Sequence, residues 1–264
     1  MGRPRFSIIT PIHLDNIKLF QLEVDRCIES IKNQTYDKTK IEYIIINDGS
    51  SQEVKIPNYP WIRVIDTENT QRITAYNRGF QEAKGEIYTL LDGDDEYDNS
   101  YLEEVDSFYK TYPNYKLFNF GCRYIHLDGG TAEREAFTPK KKKKGHETFG
   151  GNNIVNGTFV FHRSVYDDLG GYPSAVVKDI DCSSINYGGV RELYMTSPYD
   201  FSAYAQVEFP ELRQFFMVDH VNEPNKIIKE LGNPFGNDFY LFYKYTRKYH
   251  SKPIMGKLLY IVHP

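Results

Sequence analysis

The sequence predicts an α/β chain built on a largely parallel sheet with helices on both faces. Three observations carry this. Strand-like and helix-like segments alternate through the first half of the 264 residues. The strands are near-continuous apolar runs, the pattern of strands buried on both sides. The polar and acidic residues that interrupt the pattern fall repeatedly where a strand ends, and that is where ligands bind in such sheets.

The elements follow in order. "RFSIIT" (5–10) is a short β-rich run closed by Pro11. Ile17, Phe20, Val24, Cys27 or Ile28, and Ile31 recur at helical spacing. "IEYIIIND" (41–48) reads as a buried strand meeting a turn at Gly49-Ser50, and "WIRVID" (61–66) as another strand. Ile73 to Ala83 reads as a helix stopped by Gly85. "EIYTLLD" (86–92) is again a strand, and Leu102, Val105, Phe108 and Tyr112 mark the helix after it. "KLFNFGCRYIHL" (116–127) reads as one or two strands. From 128 to 152 the chain is polar, Gly-rich and charged, with five lysines at 140–144; it is expected to be a flexible loop with a solvated lysine run. A strand near 158–161, a short helix, a Gly-Gly-Tyr turn and a helix near Tyr199–Val207 follow. The organisation expected is a first half over 1–127, a second half of the same domain over 128–220, and a helical, aromatic extension over 221–264.

Composition narrows the function classes. Lys and Arg number 32 and Asp and Glu 36, a net charge of −4, so nothing global attracts a nucleic acid. Aromatics at 15% exceed ordinary need, which suits a large core, a stacking site or an interface. Cys27, Cys122 and Cys182 are scattered without C-x-x-C spacing, as in a reducing compartment. No run reaches the ~20 apolar residues of a membrane span, and the first residues show no signal-peptide pattern, so a cytoplasmic, soluble protein is expected. The tail from 238 mixes aromatics with Lys244, Arg247, Lys248, Lys252 and Lys257. A helix packed on the body is favoured there, with a peripheral membrane surface or a second subunit as the other candidates.

The chemistry concentrates in "LLDGDDEYD" (90–98), where Asp92, Asp94, Asp95, Glu96 and Asp98 crowd the end of an apolar strand. Carboxylates this close repel one another. Helix capping accounts for Asp98, with Asn99 and Ser100 beside it. A calcium loop is mimicked by the spacing Asp92, Asp94, Glu96, Asp98, Ser100 and Glu103, but its obligatory sixth-position glycine is Tyr97 and the preceding segment is not a helix. A divalent cation shared with a diphosphate is the third reading, because Mg²⁺ and Mn²⁺ take hard oxygen ligands from one or two carboxylates, phosphates and water.

"FSIITP", "YIIINDGSS", "AYNRGFQEAKGEIYTLLDGDD" and "FVFHRSVYDDLGGY" in series resemble the family-two glycosyltransferases, over roughly the first 125 residues and again over 158–207. The resemblance implies a single, Rossmann-like glycosyltransferase A domain and an inverting, metal-dependent sugar transfer from a nucleotide donor, UDP first, to a hydroxyl acceptor. It assigns Thr10, Pro11, Asp48, Asn77, Asp92 and Gly93 to the nucleotide, with Arg72 or Arg78 as its cation. Asp94 and Asp95, with Asp92, become ligands for Mn²⁺ or Mg²⁺. His220 matches a late histidine that in some relatives reaches the metal or diphosphate. The general base falls on Asp200, with Asp181 and Asp179 as alternatives, and Asn156 and His162 on the acceptor side. The chain departs from the family at Asn47, Tyr76 and Tyr199, where Asp, Arg and Glu are usual. The acceptor implied is a glycan or a lipid- or protein-linked hydroxyl. A nucleotidyltransferase is the rival enzyme, although "TPIHLDN" lacks the Gly-rich loop it needs; a non-catalytic sugar- or calcium-binding module is the rival of another class.

Overall fold

The structure, a computed structural model, describes residues 2–14, 21–68, 72–136, 140–141, 147–148, 156–172, 237–246 and 248–263. These residues fall in two compact units. The first comprises Met1–Phe137, Asn153–Tyr172 and Phe242–Pro264, and the second Thr138–Asn152 and Pro173–Leu241.

The first unit opens with four parallel strands, β1 (Phe6–Ile12), β2 (Ile41–Asp48), β3 (Ile62–Thr67) and β4 (Ile87–Leu90), in the order β3-β2-β1-β4. Then come β5 (Glu96–Tyr97), β6 (Leu117–Ile125) and β7 (Thr131–Arg134). In the second unit β8 (Lys140–Lys141) and β9 (Glu147–Thr148) pair antiparallel. β10 (Phe159–His162) and β11 (Ser251–Val262) return to the main sheet, whose path continues from β4 through β10, β6 and β11 to β5, with β7 beside β6. This half is mixed: β10 runs antiparallel to both β4 and β6, β11 parallel to β6, and β5 antiparallel to β11.

Among the described residues the α-helices are α1 (Gln21–Lys32), α2 (Arg72–Glu82), α3 (Tyr101–Thr111), α4 (Arg163–Leu169) and α5 (Asn237–Thr246). α1 buries Val24, Cys27, Ile28 and Ile31, the helical face read from the sequence, together with Ile8, Tyr43 and Ile45 of the sheet and with Leu102 and Val105 of α3. The alternate residues Ile9, Ile44, Ile46 and Leu90 are equally buried, as strands covered on both sides require. On that second face Phe80 of α2 packs against Tyr88, Phe161, Tyr166 and Tyr172 with ring centroids 5.3–6.3 Å apart. The aromatic excess is thus spent largely on the core, where each such side chain contributes about 1.5–3 kcal/mol.

Two sequence expectations change. The tail was expected to be helical, yet Ser251–Val262 is a strand inserted between β6 and β5. The aromatic run that suggested a helix belongs to α5 only. The tail lysines are occupied within the fold: Lys244 donates to the Gly171 carbonyl (2.9 Å), Lys248 pairs with Asp168, Lys257 pairs with Glu104, and Lys252 sits over the rings of Tyr112 and Tyr115. The expected loop also begins as structure, because Thr131–Arg134 forms a hairpin with β6. Its turn closes through His126 and Gly130, with Gly129 at φ +80 and the Asp128 carboxylate accepting the Gly130 N–H. Among the described residues no helix is long and apolar enough to cross a membrane.

One buried ion cluster gives a pH-dependent test. Asp106 of α3 is 5% exposed and receives Arg5 (2.8 Å), Lys110 (2.7 Å) and the Tyr36 hydroxyl (3.2 Å). Burial opposes its charge, but hydrogen bonds from Lys110 and Arg5 outweigh burial and hold its pKa below the usual value. A lowered folded pKa means stability that is present above the unfolded pKa and is lost as pH falls through the folded one. Asp106→Asn is therefore expected to cost about 1–3 kcal/mol at pH 7, a gap that narrows in urea melts as pH is lowered from 7 to 3. A gap unchanged at pH 3 would reject the assignment.

Candidate active site

From β1 the chain moves to β2 and β3 on one side, then crosses to β4 on the other. The strand order therefore reverses at the carboxyl end of β1, where open α/β sheets place their ligand crevice. The register brings the ends together: Ile12 lies beside Asn47, Asp48 beside Thr67, and Leu91 donates its N–H to the Ile9 carbonyl (3.1 Å). Residues far apart in sequence are adjacent because neighbouring strands stop at the same level.

On the β2 side, Asp48 is 3% exposed and its carboxylate accepts the Thr67 hydroxyl at 3.0 Å. Its backbone carbonyl lies 2.8 Å from Nδ1 of His13. A carbonyl can only accept, so Nδ1 carries the proton in this contact. Thr10 is buried and Pro11 half-buried in the last turns of β1. The Gly49-Ser50-Ser51 turn is stapled to the β1 exit, with Ser50 Oγ accepting the Leu14 N–H and Leu14's carbonyl accepting from Ser51. Asn47 donates its amide to the Asp66 carboxylate at 2.7 Å. An aspartate at 47 would face Asp66 as a like charge; the amide turns that repulsion into a hydrogen bond.

On the β4 side, each acid of the cluster has a different environment. Asp98 accepts the N–H and hydroxyl of Ser100 at the start of α3. Glu96 meets Arg26 of α1 (3.4 Å) and Nε2 of His263 (2.5 Å). Asp92 accepts the Tyr76 hydroxyl, and its N–H donates to the Tyr260 oxygen at 3.2 Å. Arg26 donates to the backbone carbonyl of Asp94 at 2.8 Å. Asp95 is 5% exposed; its carboxylate accepts the His263 N–H at 2.9 Å, and its own N–H closes the turn onto the Asp92 carbonyl. Burial above all, then the charges of Asp92 and Asp94, push the Asp95 carboxyl up to about 8. Gly93 is buried within the turn. Tyr97, which opposed a calcium loop, is a buried strand residue of β5.

The crowded acids form a hard-oxygen donor set under electrostatic strain, a condition that a divalent cation relieves. Among the described residues no group of three or more His, Cys, Asp or Glu side chains is placed to hold a metal ion. A cation here would take one or two carboxylates and complete its shell from phosphate and water, as Mg²⁺ commonly does.

The protein-family model described as "Glycosyl transferase family 2" matches residues 7–170. The chain belongs to that family. Glycosyltransferase AglE of Haloferax volcanii is 26% identical over 189 residues, covering 67% of this chain and 59% of AglE. The uncharacterized glycosyltransferase YibD of Escherichia coli is 41% identical over 76 residues, covering 26% of this chain and 22% of YibD. The chain thus spans only part of the length of the curated relatives it matches. The structure of S. aureus TarS 1-349 in complex with UDP superposes with a TM-score of 0.53 at 12% identity, covering 98% of this chain and 60% of the TarS 1-349 chain. The fold is shared: an α/β glycosyltransferase A sheet.

The other residues assigned from the family are placed as follows. Asn77 uses its whole amide on one backbone: Nδ2 donates to the Tyr172 carbonyl (2.9 Å) and Oδ1 accepts the Tyr172 N–H (2.8 Å). It clamps the Gly-Gly-Tyr turn, and a Cβ at Gly171 would lie 2.3 Å from that Oδ1. Arg78 pairs with Glu82 on the helix surface. His162 caps α4 through Ser164, and its register partner is Ile87, at the opposite end of β4 from Asp92; the antiparallel run of β10 carries it away from the site. Asn156 opens a short 3-10 turn before β10, and its side chain, like that of Arg72, is outside the described residues. Asp179, Asp181, Asp200 and His220 also lie outside them. Reading the sequence missed His13, Arg26, Tyr260 and His263, and treated Tyr76 only as a departure. The matched region ends at 170, so Tyr260 and His263 carried no motif signal.

Proposed function

We propose that the chain is a glycosyltransferase that moves a sugar from a nucleoside diphosphate donor, UDP first, to a hydroxyl acceptor with inversion, in glycan or polysaccharide biosynthesis. The observation that carries this reading is the pairing of Asp48 with the Asp92–Asp95 turn on either side of the β1 switch point. Asp48, with Thr10 and Pro11, suits a nucleoside; the acidic turn suits Mn²⁺ or Mg²⁺ held by Asp94 and Asp95 against the diphosphate, with Asp92 toward ribose or metal. Bound there, the cation would offset charge on the departing diphosphate. UDP is the donor nucleotide of choice because TarS has been solved with UDP and with UDP-GlcNAc. Inversion needs a carboxylate to take the acceptor proton, and Asp200, before an aromatic-rich run, is our assignment, with Asp181 and Asp179 the alternatives. The acceptor is a hydroxyl of a glycan or of a lipid- or protein-linked glycan.

Isothermal titration tests the reading directly. UDP is expected to bind at least about tenfold more tightly with Mn²⁺ than with EDTA, about 1.4 kcal/mol. A chain that binds glycan but no UDP under either condition is a binding module, and the proposal fails.

A further inference from the structure

The acidic turn is braced by two phenols that come from opposite directions. Tyr76, on α2, donates its hydroxyl to the Asp92 carboxylate. Tyr260 reaches the same turn from β11, a strand beyond the matched region. Its oxygen accepts the Asp92 N–H at 3.2 Å. Both side chains are fully buried and so have little freedom to swing away. The Tyr260 ring is fixed by Tyr97 (centroids 5.8 Å apart) and by Gly157, whose missing Cβ is the space the ring occupies.

The chemistry of this brace is specific. Two carboxylates meant for one cation repel each other and turn apart unless something holds them. A phenol fixes a carboxylate by hydrogen bonding without bringing a positive charge that would compete with the metal. We propose that Tyr76 and Tyr260 are positioning residues that hold Asp92, and with it the turn carrying Asp94 and Asp95, for a divalent cation carried with a nucleoside diphosphate. The inference rests on the functional reading above and names what supports its metal site. β11 thereby becomes part of that site, with the His263 N–H as a further hold on Asp95.

The test uses the full chain with Tyr76→Phe and Tyr260→Phe, each of which keeps its ring and loses one hydroxyl. Mn²⁺ titrated in the presence of UDP is read by electron paramagnetic resonance, with urea melts alongside. Each variant is expected to bind Mn²⁺ about 10-fold more weakly, at the low end of what outer-shell partners of metal ligands contribute. Residual UDP binding in EDTA should be unchanged, and excess Mn²⁺ should restore turnover, which damage to the fold would not allow. If Tyr260→Phe fails to fold, Tyr76→Phe, on a separate element, decides alone. Wild-type Mn²⁺ affinity in the folded variants overturns the positioning role and leaves the functional reading standing. A wild-type chain whose UDP binding ignores Mn²⁺ overturns both.

Discussion

Alanine at position 157 is expected to destabilise the protein by about 3 kcal/mol or more, the upper end for forcing atoms into a packed core. A Cβ there would lie 1.6, 1.9 and 2.5 Å from three atoms of the Tyr260 ring. Such an overlap is cheap only when the far end of a flexible side chain can swing aside. Tyr260 cannot: it is fully buried, packed against Tyr97, and its strand is paired on both sides, with β5 at Tyr97 and with β6 at Cys122. Gly157 is equally fixed, because its carbonyl accepts the Tyr101 hydroxyl at 3.1 Å. The strain therefore has to displace β11 or the turn before β10, and both border the acidic cluster. Urea denaturation of Gly157→Ala measures the loss. A double mutant with Tyr260→Ala removes the obstructing ring, so its cost should fall well below the sum of the two single changes. Additive costs would mean that the ring and the glycine are not in contact.

How far the sequence disclosed this arrangement depends on how local each determinant is. β1, β2, β4, α1 and α3 were legible because their apolar residues repeat at the period of the element itself. The Asp92–Asp95 turn was legible because the pattern breaks abruptly at a strand end. β11 was not. It holds its place by pairing with β6, some 130 residues earlier, through a register that skips at Ile254/Leu258 and Leu258/Tyr260 and so blurs any alternation. The same distance hid Tyr260 and His263. At Asn77 the motif records an amide, and the partner that the sequence could not name is the Tyr172 backbone. His162 misled because a strand's direction decides which end of the sheet its last residue reaches, and an isolated four-residue strand does not announce its direction. At Asn47 and Tyr76 the departures have partners waiting, Asp66 for the one and Asp92 for the other.

Asp94→Ala is expected to abolish metal-dependent turnover while the protein stays folded. Removing a metal's electrostatic help from a departing diphosphate is worth several kcal/mol, on the order of 10²–10⁴ in rate. Arg26 holds the turn by the Asp94 backbone carbonyl, which alanine retains, so the turn keeps its tie to α1. Cooperative melting without metal should persist, whereas the rise in melting temperature on adding Mn²⁺ and UDP should vanish, since a ligand stabilises only a state that binds it. Donor hydrolysis followed with and without Mn²⁺ supplies the rate. If turnover survives and Mn²⁺ still raises the melting temperature, the cation is not held by Asp94, and the crowding of acids after β4 needs another cause.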